Sequence, residues 1–323
     1  MTTLIRSFVR VLTVVALAAG CARGAGAQSQ AGAVASLRGA VVSSSNIASD
    51  IGATALSRGG NAVDAAVATA FALAVTHPSA GNIGGGGFMI VRMATGEART
   101  FDFREMAPLA ATPTMFQNAD GTIAYARTDS GWLAPGVPGT VRGLALAHRR
   151  FGSLPWRDVV MPAAELAARG FVLTPALAEE LNTALREIFA PFPSSVAAYG
   201  KPGGGAWAAG DTLRLGDLSR TLRSISVRGA DAFYTGWIAD SLASQMRAHH
   251  GLITRRDLAE YRAVERAPLR GTFLGHEIIT MGPPSSGGTV LVQTLNQLET
   301  FGIERMPRSS AQFLHLRIEA ARR

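Results

Sequence analysis

The chain has 323 residues, a formal charge of +8, and 47% hydrophobic against 17% charged residues, a balance that suits a globular protein with a sizeable core. Its 36 glycines follow no Gly-X-Y period, which excludes a collagen-like fibre. Lys201 is the single lysine, the arginines are dispersed, and neither zinc-finger spacing nor aromatic–basic interleaving accompanies them, so no nucleic-acid surface is expected.

Residues 1–27 read as a secretory signal. Arg6 and Arg10 form a charged start, and residues 11–20 are an apolar stretch too short to span a bilayer. Ala25-Gly26-Ala27 then fits a small-x-small cleavage site. Loss of this segment, with its three arginines and no acid, takes the charge from +8 to +5. Ala18-Ala19-Gly20-Cys21 also resembles a lipobox, which leaves lipid anchoring through Cys21 beside free export. Cys21 is the only cysteine, so neither an internal disulfide nor a multi-cysteine metal site is possible. Residues 28–38 read as a short linker and 39–323 as the folded region.

Ser45 or Asn46 caps a predicted helix whose apolar face is Ile47, Ile51 and Ala55, stopped by Arg58-Gly59-Gly60. Asn61 caps a second helix, with Asp64 at the capping-box position. That helix is apolar nearly all round, as a helix buried between layers is, and His77-Pro78 ends it. Residues 88–92 and 100–103 read as a β-hairpin around Thr95-Gly96-Glu97. Helices follow over 141–151, 159–169 and 177–189. Residues 191–210 read as a surface loop or an internal boundary. A helical region runs from 218 to about 246, broken near Gly229, with His249-His250 capping its end. Residues 271–281 alternate as one strand, 283–288 form a turn into a helix over 290–301, and Ser309 or Ser310 caps a last helix bearing Phe313, Leu314 and Ile318. That helix carries no stop signal before Arg323, so the chain reads as cut within it. Runs of helix around a few paired strands give an α+β, αββα-layered expectation.

Two features carry chemistry. The run Gly84-Gly85-Gly86-Gly87 lacks the lysine of a phosphate-binding loop and follows a helix rather than a strand, so a nucleotide site is not expected. Close backbone packing and the floor of a pocket both remain open for it. Arg104 lies among Phe101, Phe103, Met106 and Ala107, and a guanidinium in apolar company needs a partner. That partner is Asp102, Glu105 or a ligand carboxylate. The six histidines show no metal-ligand spacing, and Ser285-Ser286 lacks the Gly-x-Ser-x-Gly elbow of a nucleophilic serine. Neither a metal nor an organic cofactor is indicated.

Taken together, Gly60-Asn61-Ala62-Val63-Asp64-Ala65-Ala66, Thr76-His77-Pro78, Gly84-Gly85-Gly86-Gly87-Phe88, Asp102-Phe103-Arg104-Glu105, Pro135-Gly136-Val137-Pro138-Gly139 and Pro283-Pro284-Ser285-Ser286-Gly287-Gly288 resemble the γ-glutamyltransferase (glutathione hydrolase) family. The resemblance runs from about Gly39 to the last residue and covers only the large-subunit part. It implies an N-terminal-nucleophile hydrolase fold, incomplete here, from a proenzyme that cuts itself into large and small subunits. It also implies transfer of a γ-glutamyl group from glutathione and related amides to water or to amino-acid and dipeptide acceptors. The residue matching Arg104 binds the substrate α-carboxylate in the family. The nucleophilic threonine begins the small subunit, so no catalytic residue is assigned within this chain. Export to the periplasm or medium is expected. A related acylase acting on β-lactam side chains, and a non-catalytic exported binding protein, are the competing expectations.

Overall fold

The computed structural model of the protein describes residue 36 and residues 39–323. The signal over 1–27, with Cys21 and its lipobox reading, and most of the 28–38 linker lie outside the described residues. Residues 41–323 form one unit.

Helix α1 (Asn46–Ser57) starts where Ser45 accepts a hydrogen bond from the Ala48 amide. Helix α2 (Ala62–Thr76) has the full capping box. Asn61 accepts from the Val63 and Asp64 amides, and the Asp64 carboxylate accepts from the Asn61 amide. Eleven of its fifteen residues are buried, as its all-round apolarity requires. The hairpin follows as β1 (Phe88–Arg92) and β2 (Ala98–Asp102), antiparallel with Phe88 opposite Asp102.

Helices α3 (Tyr125–Asp129), α4 (Thr140–Phe151) and α5 (Trp156–Arg169) come next. Then come β3 (Phe171–Val172), α6 (Pro175–Glu187), α7 (Pro193–Tyr199) and β4 (Thr212–Leu213). The remainder runs α8 (Gly216–Arg228), α9 (Asp231–Tyr234), α10 (Trp237–Ala248), α11 (Arg255–Glu260), β5 (Val264–Arg266), β6 (Leu269–Phe273), β7 (His276–Thr280), α12 (Ser286–Thr300) and α13 (Ala311–Arg322).

Strand β5 joins the hairpin to give a three-stranded antiparallel sheet in the order β1-β2-β5, with Thr100 opposite Arg266. Phe101, Phe103 and Val91 bury their side chains with Phe71 and Val67 of α2 and with Val141 and Leu144 of α4. Behind them α5 packs on α2, and α8 packs on α5. Phe71 meets the Trp156 ring edge-on at 5.6 Å. The fold is α+β, with helices layered on a sheet.

Three elements differ from the sequence reading. Residues 271–281 belong to a hairpin, not one strand: Leu274 and Gly275 both take positive φ (50° and 79°), the two-residue turn that joins twisted antiparallel strands. Within 191–210, Pro193 starts the short helix α7. The region from 218 to 246 is three helices rather than two, with positive-φ glycines at both breaks, Gly229 and Gly236. His249 caps α10 as expected, its amide donating to the Gln245 (3.1 Å) and Met246 (3.3 Å) carbonyls, and its ring stacks on Trp132 at 4.3 Å.

Candidate functional site

The glycine loop is tied to the start of α4. Asn82 Oδ1 accepts from the Gly85 amide at 2.9 Å and from the Thr140 hydroxyl at 2.6 Å. Gly85 O accepts from the amides of Gly139 (2.7 Å) and Thr140 (3.1 Å). Gly87 and Phe103 exchange both backbone hydrogen bonds (3.3 and 3.0 Å), which carries the hairpin pairing one step past its strands. A Cβ at Gly86 would lie 2.6 Å from Phe103 O and 2.7 Å from the Glu105 amide. At Gly139 it would lie 2.0 Å from Phe103 O and 2.1 Å from the Tyr261 hydroxyl. Close packing therefore accounts for glycine at 86 and 139. Gly84 has nothing within 4 Å of where its Cβ would be.

The segment after β2 is held along its backbone. The Arg104 amide donates to Asp102 Oδ1 at 3.2 Å, and the Tyr261 hydroxyl donates to Arg104 O at 2.9 Å. Met106 and Val137 exchange backbone hydrogen bonds at 3.3 and 2.7 Å. The Leu109 amide donates to Asp257 Oδ1 at 2.6 Å. Burial acts to raise the Asp257 carboxyl, but hydrogen bonds from the Leu109 and Thr254 amides and the Thr254 hydroxyl outweigh it and hold the group below the usual carboxylate range. Burial, and then the negative charges of Asp102 and Glu105, push the Tyr261 phenol up, so it keeps the proton it donates.

Asp102 is not the partner of the Arg104 guanidinium. Its Oδ2 accepts from both Nε (3.0 Å) and Nη2 (2.9 Å) of Arg266, while Oδ1 takes the Arg104 amide. Glu105 is exposed and forms no ion pair with Arg104. The Arg104 side chain is itself exposed and has no hydrogen-bond or ion-pair partner among the described residues. Its expected apolar setting is a misreading. Phe101 and Phe103 point into the core, but β2 ends at Asp102, the alternation stops there, and Met106 is 54% exposed. Arg104 stands on an open face and lines none of the cavities of about 350, 480, 490 and 650 Å³ found elsewhere. Tyr261, Asp257 and Arg266 were missed by sequence reasoning. They lie more than 140 residues downstream, and no local pattern links them to Arg104.

Among the described residues no three His, Cys, Asp or Glu side chains are grouped to hold a metal ion, and no helix is long and apolar enough to cross a membrane. Ser285 accepts from the Gly287 amide as the cap of α12, so the turn read over 283–288 ends at Ser285 and residues 286–288 are already helical.

The family model for gamma-glutamyltranspeptidase matches residues 48–323. The chain belongs to this family. The glutathione hydrolase proenzyme of Escherichia coli (strain K12) is 44% identical over 283 residues, covering 88% of this chain and 49% of the relative. The solved structure of Helicobacter pylori gamma-glutamyltranspeptidase matches with a TM-score of 0.87 at 41% identity, over 90% of this chain and 83% of that one. The acylase ACY 1 proenzyme of Pseudomonas sp. (strain SE83) is 39% identical over 289 residues, covering 88% of this chain and 51% of the relative. The chain spans about half the length of the curated relatives it matches. The expectation of an α+β, N-terminal-nucleophile hydrolase fold accords with these neighbours.

Proposed function

We propose that this chain is the large-subunit part of an exported γ-glutamyltransferase and glutathione hydrolase, with residues 39–323 as the large-subunit region behind a cleaved signal. Glutathione and related γ-glutamyl amides are its donors, and water, amino acids or dipeptides its acceptors. Arg104 binds the donor's α-carboxylate through its guanidinium fork. The observation that carries this reading is the contrast within one residue: the Arg104 backbone is fixed at its amide and its carbonyl, while its guanidinium is exposed and unpaired among the described residues. Such a group is placed in advance for an anionic ligand, which lowers the ordering cost of binding.

In this reading a threonine at the start of the small subunit attacks the γ-carbonyl, with its own α-amine as base, and the amine of the donor leaves. Water or an acceptor amine then takes the γ-glutamyl group from the threonine ester. Arg104 acts in recognition and positioning in both steps and takes no proton. The assay is steady-state kinetics of the complete enzyme with a γ-glutamyl amide. Arg104→Ala raises KM steeply, and Arg104→Lys recovers only part of the loss because a point charge lacks the fork. Unchanged KM and kcat in Arg104→Ala would sink the assignment.

The 39% identity to an acylase proenzyme supports a second reading, an acylase of the same superfamily. Free glutamate separates the two: it competes with substrate at a γ-glutamyl site and leaves an acylase unaffected.

A further inference from the structure

Among the described residues, Nε of Arg142 is buried without a hydrogen-bond partner, while Nε2 of His148, also without a hydrogen bond of good geometry, faces the Asp64 carboxylate at 3.2 Å. Both residues line the same cavity, of about 350 Å³ and walled on one side by Trp156, that Arg104 does not reach. Arg149 and Arg262 line it as well. Arg149 has no hydrogen-bond or ion-pair partner among the described residues, and Arg262 donates only to the backbone carbonyls of Ala259 (2.6 Å) and Tyr261 (2.8 Å). The single acid in the lining is Asp231, which is largely exposed and accepts from Nη1 of Arg142 at 2.7 Å. Three guanidinium groups and an imidazole thus share one concave space with one carboxylate.

The orientation of His148 is set from behind. Its Nε2 lies 3.2 Å from Oδ1 of the fully buried Asp64, and its ring meets the edge of Trp156 at 5.4 Å. Arg142 is likewise fixed, with its guanidinium 4.3 Å above the Tyr234 ring. Uncompensated positive charge in a cleft concentrates anions, and guanidinium forks match the paired oxygens of an oxyanion.

We infer that this cavity is a second site, one that binds a multiply charged oxyanion of the phosphate or polycarboxylate kind. Arg149 supplies a free fork and Arg262 the Nε–Nη2 edge that its backbone contacts leave unused, while Arg142 and His148 form the fixed wall. The site is independent of the carboxylate assigned to Arg104.

The test is calorimetric titration of the purified protein with inorganic phosphate and, separately, with citrate at low ionic strength; the tighter of the two tells phosphate from polycarboxylate. Saturable one-to-one binding is expected, weakened about tenfold or more by Arg149→Ala with Arg262→Ala. Arg104→Ala leaves it unchanged, which keeps this result separate from the fate of the Arg104 assignment. The pair Arg157→Ala with Arg169→Ala removes the same charge from a different cavity and also leaves binding unchanged. Both pairs are exposed, and matching thermal unfolding curves check that each variant folds. Where the alanine pair folds poorly, Arg149→Lys with Arg262→Lys takes its place: it keeps the charge, loses the forks and is expected to weaken phosphate several-fold. Absence of saturable binding by either anion overturns the inference, as does equal loss in the two alanine pairs or full binding by the lysine pair.

Discussion

At the start of α2 the Asp64 carboxylate has no exposure. It accepts from the amides of Asn61 (2.8 Å), Ser153 (3.0 Å) and Leu154 (3.1 Å), with His148 Nε2 3.2 Å away. At the end of β2 the position is reversed: the backbone of Arg104 is held by Asp102 and Tyr261, and the charged group stands in solvent without a partner among the described residues. Both residues sit in the motifs that carry the family resemblance. The difference shows how to read such a residue. Where the fold occupies the side chain, the residue fastens elements together; here Asp64 joins α2 to the turn between α4 and α5. Where the fold occupies the backbone and leaves the side chain free, the residue is positioned to act on something else.

The largest effect expected from this contrast is on stability. Asp64→Ala leaves three backbone amides around a buried site without their acceptor and costs about 3 kcal/mol or more, seen as a lower denaturant midpoint. Arg104→Ala leaves that midpoint within about 0.5 kcal/mol of wild type, because its exposed side chain touches no partner. Its effect falls on catalysis instead: loss of a charge-assisted fork raises KM for a γ-glutamyl amide by roughly 100-fold. A large stability loss in Arg104→Ala, or none in Asp64→Ala, would break the comparison.

The two regions were not equally legible in the sequence. Asn61 and Asp64 stand three residues apart ahead of an apolar run, so their capping box was readable locally, as was the hairpin over 88–103. The further hold of Asp64 on Ser153 and Leu154 was not, since those partners lie about 90 residues away. The neighbours of Arg104 mark it out, but they describe only half of its setting. Phe101 and Phe103 do face the core, but the strand ends before Arg104, and the side chain emerges on an open face. Its alternative partners, Asp102 and Glu105, could be settled only by locating Arg266. That residue reaches Asp102 through β5, a three-residue strand too short to show any period.

Tyr261→Phe sharpens the comparison at an intermediate scale. The phenol is nearly fully buried and donates one neutral hydrogen bond to Arg104 O, worth about 1 kcal/mol. Its removal lowers the unfolding midpoint by that amount and loosens the Arg104 backbone, raising KM up to about tenfold with little change in kcat. A drop in kcat alone would give Tyr261 a different role.

The smallest effect is expected at Gly84, in contrast to its neighbour Gly86 within the same glycine run. Ala at Gly86 drives a methyl group to 2.6 Å from Phe103 O and 2.7 Å from the Glu105 amide, both backbone atoms that cannot swing aside. That change costs about 1–3 kcal/mol and displaces the Arg104 segment with it. Ala at Gly84 meets nothing within 4 Å, and the position does not take the left-handed conformation that favours glycine. Gly84→Ala therefore stays within about 0.5 kcal/mol of wild type, with KM unchanged, if close packing is the whole reason for the run. Equilibrium unfolding and γ-glutamyl-amide kinetics on the two variants decide the matter. Should Gly84→Ala raise KM while stability holds, the run also serves as a pocket floor, and Gly84 joins Arg104 among positions the fold leaves free for substrate.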